Sequence, residues 1–359
     1  MLKNLIYLLF PILVFAACQK SKPVIATFYY WKTELNIDAN GAAKLDQFGA
    51  DPLYIRFFDV DYDDLRGTPV PVGEMTLVGM DNRSFIPVVF LTTSTFRQLY
   101  NNEMDTLAKN ISRKINAQLE DLYFAYSKST PHHTRLNFEA WKTHFIPEIQ
   151  FDCDWNSNCR EAYFEFLYQY RAYYLPKGRK MSCTIRLHQF KDPISTGIPP
   201  VDHGILMCYN VAPPRDTATE NAVFDYEIIS NYVKKDAKYP LHLDIALPVF
   251  SWGAWFRSGD FKGLLGGWNE YALSDTLVYK QVARHLYQVK IDTVVNKSDY
   301  LREGDIIRLD TPTDEAIMAA IPLLKPNLRQ HGRLVFFDWD DQKIREKTVF
   351  LQEIIAEFL

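Results

Sequence analysis

Glu148-Ile149-Gln150-Phe151-Asp152-Cys153-Asp154-Trp155-Asn156 is the stretch that decides the fold. Side chains alternate along a strand, so Asp152, Asp154 and Asn156 take one face while Phe151, Cys153 and Trp155 take the other. Neighbouring acids on one face need shared protons, donors or a cation, because an unpaired buried carboxylate is strongly unfavourable. Beyond them Asn158 is placed to cap a helix, with Glu161 three residues on as in a capping box. Phe164, Leu167 and Tyr170 then recur at helical spacing. An acidic strand end, a short loop and a helix is the pattern by which a (β/α) barrel carries reactive groups at the carboxyl ends of its strands.

Similar runs flank this one. Residues 24–31, 53–58 and 86–91 precede it, and 181–188, 204–210, 241–250 and 334–337 follow it. Eight strand-like runs alternating with helical stretches predict an α/β fold, a single (β/α)8 TIM barrel over residues 24–359. A chain of 359 residues with 47% hydrophobic content is long enough to fill one. Residues 257–330 exceed what one crossover needs, so a small insertion is expected between strands seven and eight. Asp59, Asp61, Asp63 and Asp64 have nearly the spacing of a calcium loop, but the glycine such a loop requires is missing, and a solvated loop is expected instead.

The first 17 residues form a targeting segment. Lys3 supplies the positive start, the apolar run to Ala17 is too short to span a bilayer, and small residues precede Cys18. This resembles a bacterial lipoprotein signal peptide, with Phe15 where leucine is usual and Cys18 as the lipidated first residue of the mature chain. Residues 18–23 would then be a tether, and the membrane, through a lipid anchor in the cell envelope, a partner. The outer membrane is the expected location.

A formal charge of −4 without a basic block argues against nucleic acid. Cys153, Cys159, Cys183 and Cys208 contain no C-x-x-C pair, so neither metal nor cofactor is expected, and strand parity turns three of them outward beneath helices.

Three segments carry a family resemblance. Asp152-Cys153-Asp154-Trp155 matches an inner D-x-D-W, Met207-Cys208-Tyr209-Asn210 is similar to M-x-Y-D, and Ala246-Leu247-Pro248-Val249-Phe250-Ser251-Trp252 follows G-x-P-x-Y-G plus an aromatic. In that order the motifs resemble family 18 glycoside hydrolases, the chitinases and endo-N-acetylglucosaminidases, over about residues 24–355. The resemblance implies a TIM barrel with a glycan cleft at its carboxyl end and an insertion after strand seven. The departures fall on the chemistry. The family's catalytic Glu position holds Asn156, the leading Asp of its strand-four motif is Ile149, and the strand-six Asp is Asn210. Loss of a positioned acid costs about 10²–10⁴ in rate, so ordinary chitinase chemistry is not expected.

Asp154 is the first candidate for a replacement acid, its proton held by the neighbouring charge of Asp152, with Asp244 or Asp338 as the second carboxylate. Arg186 and His188 would hold hydroxyls or a carboxylate. Asn156 and Asn210 would bind substrate, and the resemblance places Tyr209 near the reacting sugar. Tyr30, Trp31, Trp252 and Trp255 are the stacking candidates. Three roles stay open: an enzyme with a relocated acid, a glycan-binding barrel without proton donation, and a scaffold lipoprotein. An enzyme needs two carboxyl groups about 5–9.5 Å apart facing one cleft, a binder an aromatic-lined cleft without them, and a scaffold a mouth filled by its own side chains.

Overall fold

The computed structural model describes residues 24–359 apart from Lys235; the leader, Cys18 and the tether lie outside the described residues. Eight parallel strands form a ring: β1 (Ile25–Tyr30), β2 (Leu53–Asp63), β3 (Phe85–Leu91), β4 (Glu148–Asp152), β5 (Lys180–Arg186), β6 (His203–Met207), β7 (Leu243–Pro248) and β8 (Arg333–Phe337). β1 pairs with β8 on one side and with β2 on the other, which closes the barrel. The expected (β/α)8 architecture is therefore the observed one.

Both faces of the ring are covered, which is why these strands are nearly continuous apolar runs. Outward residues such as Phe28, Phe57, Phe151 and Leu247 join the main core beneath the helices. Its longest outer helix, Met104–Ser129, lays Leu107, Ile111, Ile115, Leu119 and Leu122 against the sheet. Inward residues, among them Tyr29, Tyr54, Val88, Ile205, Ala246 and Val335, fill the barrel as a second core. The four described cysteines are free thiols packed in the outer core.

The amino-terminal end of the barrel is closed by charge. Glu148 and Asp244, both fully buried, lie between Arg329, Arg333 and His203. Arg329 donates to both oxygens of Asp244 at 2.6 and 3.0 Å, and the backbone N–H of Arg333 adds a third bond at 2.8 Å. Arg333 also donates to Glu148 and to Tyr54, at 2.8 and 2.9 Å. Burial alone would raise the Glu148 carboxyl, but His203, Arg333 and Ser182 together lower it to about 2. Asp244 does point inward, yet it is the second residue of β7 and sits on the barrel floor. It is not a cleft carboxylate.

Other expectations shift in detail. β4 stops at Asp152, and β5 at Arg186, so that His188 belongs to the short helix Leu187–Lys191. The helix after β4 begins at Arg160 with Cys159 at its cap position, not Asn158. Asp59, Asp61 and Asp63 are not in a loop: β2 continues through them and turns back as the hairpin strand Thr68–Val72. Asp59 there pairs with Arg56, and Asp61 accepts from Thr92 and Ser94.

The insertion begins at Trp252 and ends at Asp310 instead of spanning 257–330. It is a five-stranded antiparallel sheet in which Trp252–Arg257 lies between Asp260–Gly266 and Ile306–Asp310, followed by Leu286–Val289 and Tyr279–Ala283. Alternation splits its faces. Leu265, Ile307 and Leu309 build the insertion's own core with Trp268 and Val289, while Trp252 and Leu264 belong to the wall of a cleft at the barrel mouth. The helix Asp314–Leu324 belongs to the outer helical layer, packed against Asp341–Phe358 and Tyr226–Tyr232.

Candidate functional site

The carboxyl ends of β4 to β7 surround a cleft of about 520 Å³. Asp154 reaches it from the turn after β4, Arg186 from the last position of β5, Tyr209 and Asn210 from beyond β6, and Trp252 from the first insertion strand. Leu187, Val211 to Pro214, Tyr232 and Leu264 complete a largely apolar wall. Asn210 holds a positive φ of 54°, a region asparagine tolerates better than most residues, and turns the chain into that wall.

Charge in the cleft is paired. Arg186 donates through Nε to one oxygen of Asp154 and through Nη2 to the other at 2.8 Å, a bidentate fork. Burial would lower the Arg186 pKa, but the Asp154 charge outweighs it and holds the guanidinium charged. Asp152 lies below, 3% exposed, accepting a 2.6 Å bond from the Thr184 hydroxyl. Burial, and after it the Asp154 charge, push Asp152 up to about 6. Desolvation of the His188 ring lowers its pKa, which favours the neutral imidazole.

Tyr209 is the polar group left over. Its ring stacks on Phe337 at 4.9 Å between centroids and meets Phe250 edge-on at 5.8 Å, which fixes its direction. Its buried hydroxyl has no hydrogen-bond partner among the described residues. That leaves one donor and one acceptor unused on the cleft wall.

Five of the residues expected at the site from the sequence line the cleft together with Trp252: Asp154, Arg186, His188, Tyr209 and Asn210. Asp152 lies directly beneath. Others are elsewhere. Asn156 is past the end of β4, where its side chain accepts from the Asn158 N–H at 3.0 Å and its carbonyl from Arg160, so it shapes the start of the helix. Tyr30 points outward, its hydroxyl bonded to the backbone of Glu34 and Asn36. Trp31 packs over Tyr29 and Phe337 on the β1 and β8 side of the mouth. Trp255 is committed within the insertion, bonded to Asp305 and covered by Arg257. Asp338 follows β8 in the field of Lys343 and Lys32, its pKa raised by burial, and is not one of the cleft-lining residues. Sequence reasoning missed the segment from Val211 to Pro214 and missed Leu264; the Pro213-Pro214 pair was the available signal for a shaped loop. Among the described residues no cluster of three or more metal-ligating side chains is present.

No family model and no curated protein matches the sequence. Solved structures do. The Group IV chitinase of Ostrinia furnacalis is 10% identical, with 94% of this chain and 99% of that one covered at a TM-score of 0.50. Its complex with allosamidin gives 10%, 93%, 99% and 0.51. The spore cortex-lytic enzyme SleL of Bacillus megaterium is 12% identical, with 94% of this chain and 75% of that one covered at a TM-score of 0.49. The chain has a chitinase-like TIM barrel. At this identity the likeness is one of fold, and what a chitinase-like barrel does depends on the groups at its mouth. Here those groups are one ion pair, the His188 imidazole, the Asn210 amide, the Tyr209 phenol and an apolar wall carrying an indole.

Proposed function

We propose that the cleft binds a neutral glycan and does not hydrolyse it. One observation carries this reading: the carboxylate that lines the cleft, Asp154, has both oxygens engaged by Arg186, while Asn156, at the position of the family's acid, faces the start of a helix. Proton donation to a leaving oxygen needs a free acid within hydrogen-bond reach. The wall suits sugar, with Trp252 offering a ring face, Tyr209 an unused hydroxyl and Arg186 a half-buried cation already neutralised by its partner. A scaffold would have its mouth filled by its own side chains, and this one is open.

Titration calorimetry with the N-acetylglucosamine pentasaccharide, paired with an assay for new reducing ends, tests the proposal. Binding without cleavage is expected. Trp252→Ala is expected to weaken binding about tenfold, roughly 1.4 kcal/mol. Reducing ends released by the wild type would sink the non-hydrolytic reading in favour of a hydrolase. The raised proton affinity of Asp152 beneath Tyr209 makes Asp152 the group such an enzyme would use.

We also propose that a lipid anchor holds the barrel at the cell envelope. Residues 1–17 and Cys18 support a lipid anchor in the outer membrane, and the chain from Cys18 to the start of β1 at Ile25 can reach at most about 25 Å. Cys18→Ser is expected to abolish palmitate labelling and release the protein from the membrane fraction. A variant that stays labelled would refute the anchor.

A further inference from the structure

Arg308 lies on the insertion strand Ile306–Asp310, 2% exposed, and its five N–H donors meet five acceptors. Nε and one Nη2 donor bond the two oxygens of the fully buried Asp310, at 2.7 and 3.0 Å. Nη1 bonds the carbonyls of Asp216 and Thr219 at 2.6 and 2.8 Å, and Nη2 bonds that of Pro214 at 3.0 Å. Asp310 in turn accepts the indole N–H of Trp252 at 2.9 Å. One guanidinium thus joins two parts of the cleft wall that are far apart in sequence: the Trp252 ring and the loop that begins with Val211 to Pro214.

That loop has the form of an Ω-loop. Its ends are tied by the N–H of Asn210 to the carbonyl of Val223 and the N–H of Val211 to that of Ala222, both at 2.9 Å. Its carbonyls would otherwise need water. A second tie comes from Asn221, which donates to the Thr311 carbonyl at 2.7 Å and accepts from the N–H groups of Val223 and Phe224. Sheet register makes the arrangement rigid, since Trp252 sits opposite Asp310 and Ala254 opposite Arg308 on one face of the insertion.

We infer that Arg308 is a positioning residue, which with Asp310 holds Trp252 and the 211–222 loop as one preformed wall and so sets the cleft's affinity for a sugar. The inference rests on the reading of the cleft as a glycan site. Preorganisation of this kind raises affinity by removing the ordering cost of a loop and a side chain at the moment of binding. Lysine keeps the charge but has three donors and no planar fork, so it cannot serve Asp310 and three carbonyls together.

Arg308→Lys in the full chain separates the possibilities through two measurements. Hydrogen exchange of the 211–222 amides is expected to rise about tenfold, with the barrel strands unchanged. Affinity for the N-acetylglucosamine pentasaccharide is expected to fall about tenfold. Loop protection equal to wild type overturns the inference, and so does a loosened loop with affinity unchanged. A wild type that binds no oligosaccharide would remove the glycan reading alone, and exchange in the loop would still decide whether Arg308 holds the wall. If Arg308→Lys fails to fold, Arg308→Met paired with Asp310→Leu removes both buried charges together, so that neither is stranded. The pair is expected to raise loop exchange and weaken binding by about tenfold, and an unchanged loop in that variant overturns the inference.

Discussion

Asp244→Ala will lower the unfolding free energy by about 3–5 kcal/mol and leave the glycan binding proposed for the cleft unchanged. The substitution removes the acceptor of two Arg329 bonds and of the Arg333 N–H from a site with no solvent access. Arg329 and Arg333 then keep their charges with only Glu148 to neutralise them. Stranding a buried charge is the expensive way to break an ion pair, because the remaining partner carries its full desolvation penalty. The cleft is untouched because Asp244 starts β7 while the cleft begins beyond its end, with Ala246 and other interior side chains packed between. Urea titration of the variant beside a binding titration checks both halves. A loss below about 1 kcal/mol would contradict the network's structural role, and loss of binding in a variant that stays folded would return Asp244 to the site.

Asp244 also shows how far the sequence could be read. By strand parity Asp244 shares a face with Pro248, and inward it is; but a period of two says which face a residue takes and nothing about its depth along the barrel. Depth follows from where the strand begins, and strand ends are the least legible feature of a sequence. The same limit explains Asn156. Alternation carried it to the inner face only while β4 was taken to run that far, and β4 stops at Asp152, after which the chain bends into the loop before Arg160. Tyr30 was misplaced because Tyr29-Tyr30-Trp31 offers an aromatic on either phase, and it is Tyr29 that entered the barrel. What was legible depended on many residues at once: eight runs, their order and the surplus after strand seven. What was not legible depended on single long-range partners, such as Arg308, whose acceptors in the loop lie about ninety residues earlier in the chain.

The remaining large effect runs the other way: Asp152→Asn will stabilise the protein by roughly 1–3 kcal/mol at pH 8. Burial and the Asp154 charge raise the Asp152 carboxyl from 3.8 to about 6. Between those two values the folded state binds its proton more tightly than the unfolded chain does, so stability rises as pH falls through that window. Above it the ionised form is held at a disadvantage, and the full penalty is present at pH 8. An amide removes the charge and keeps an oxygen for the Thr184 hydroxyl, which donates at 2.6 Å. The gain should therefore be largest at pH 8 and close to zero near pH 4. Denaturant titrations of both proteins at the two pH values measure it, and a variant less stable than wild type at pH 8, or a gain independent of pH, would refute the assignment. A carboxylate that weakens the fold where it sits fits the ligand site proposed for this cleft. Asp152 lies below the Asp154–Arg186 pair, and the Tyr209 hydroxyl, its pKa raised chiefly by burial, lies in the field of the Asp152 charge. The stabilised variant should accordingly weaken the proposed glycan binding, by about tenfold at neutral pH, because the negative charge beneath Arg186 and Tyr209 is gone.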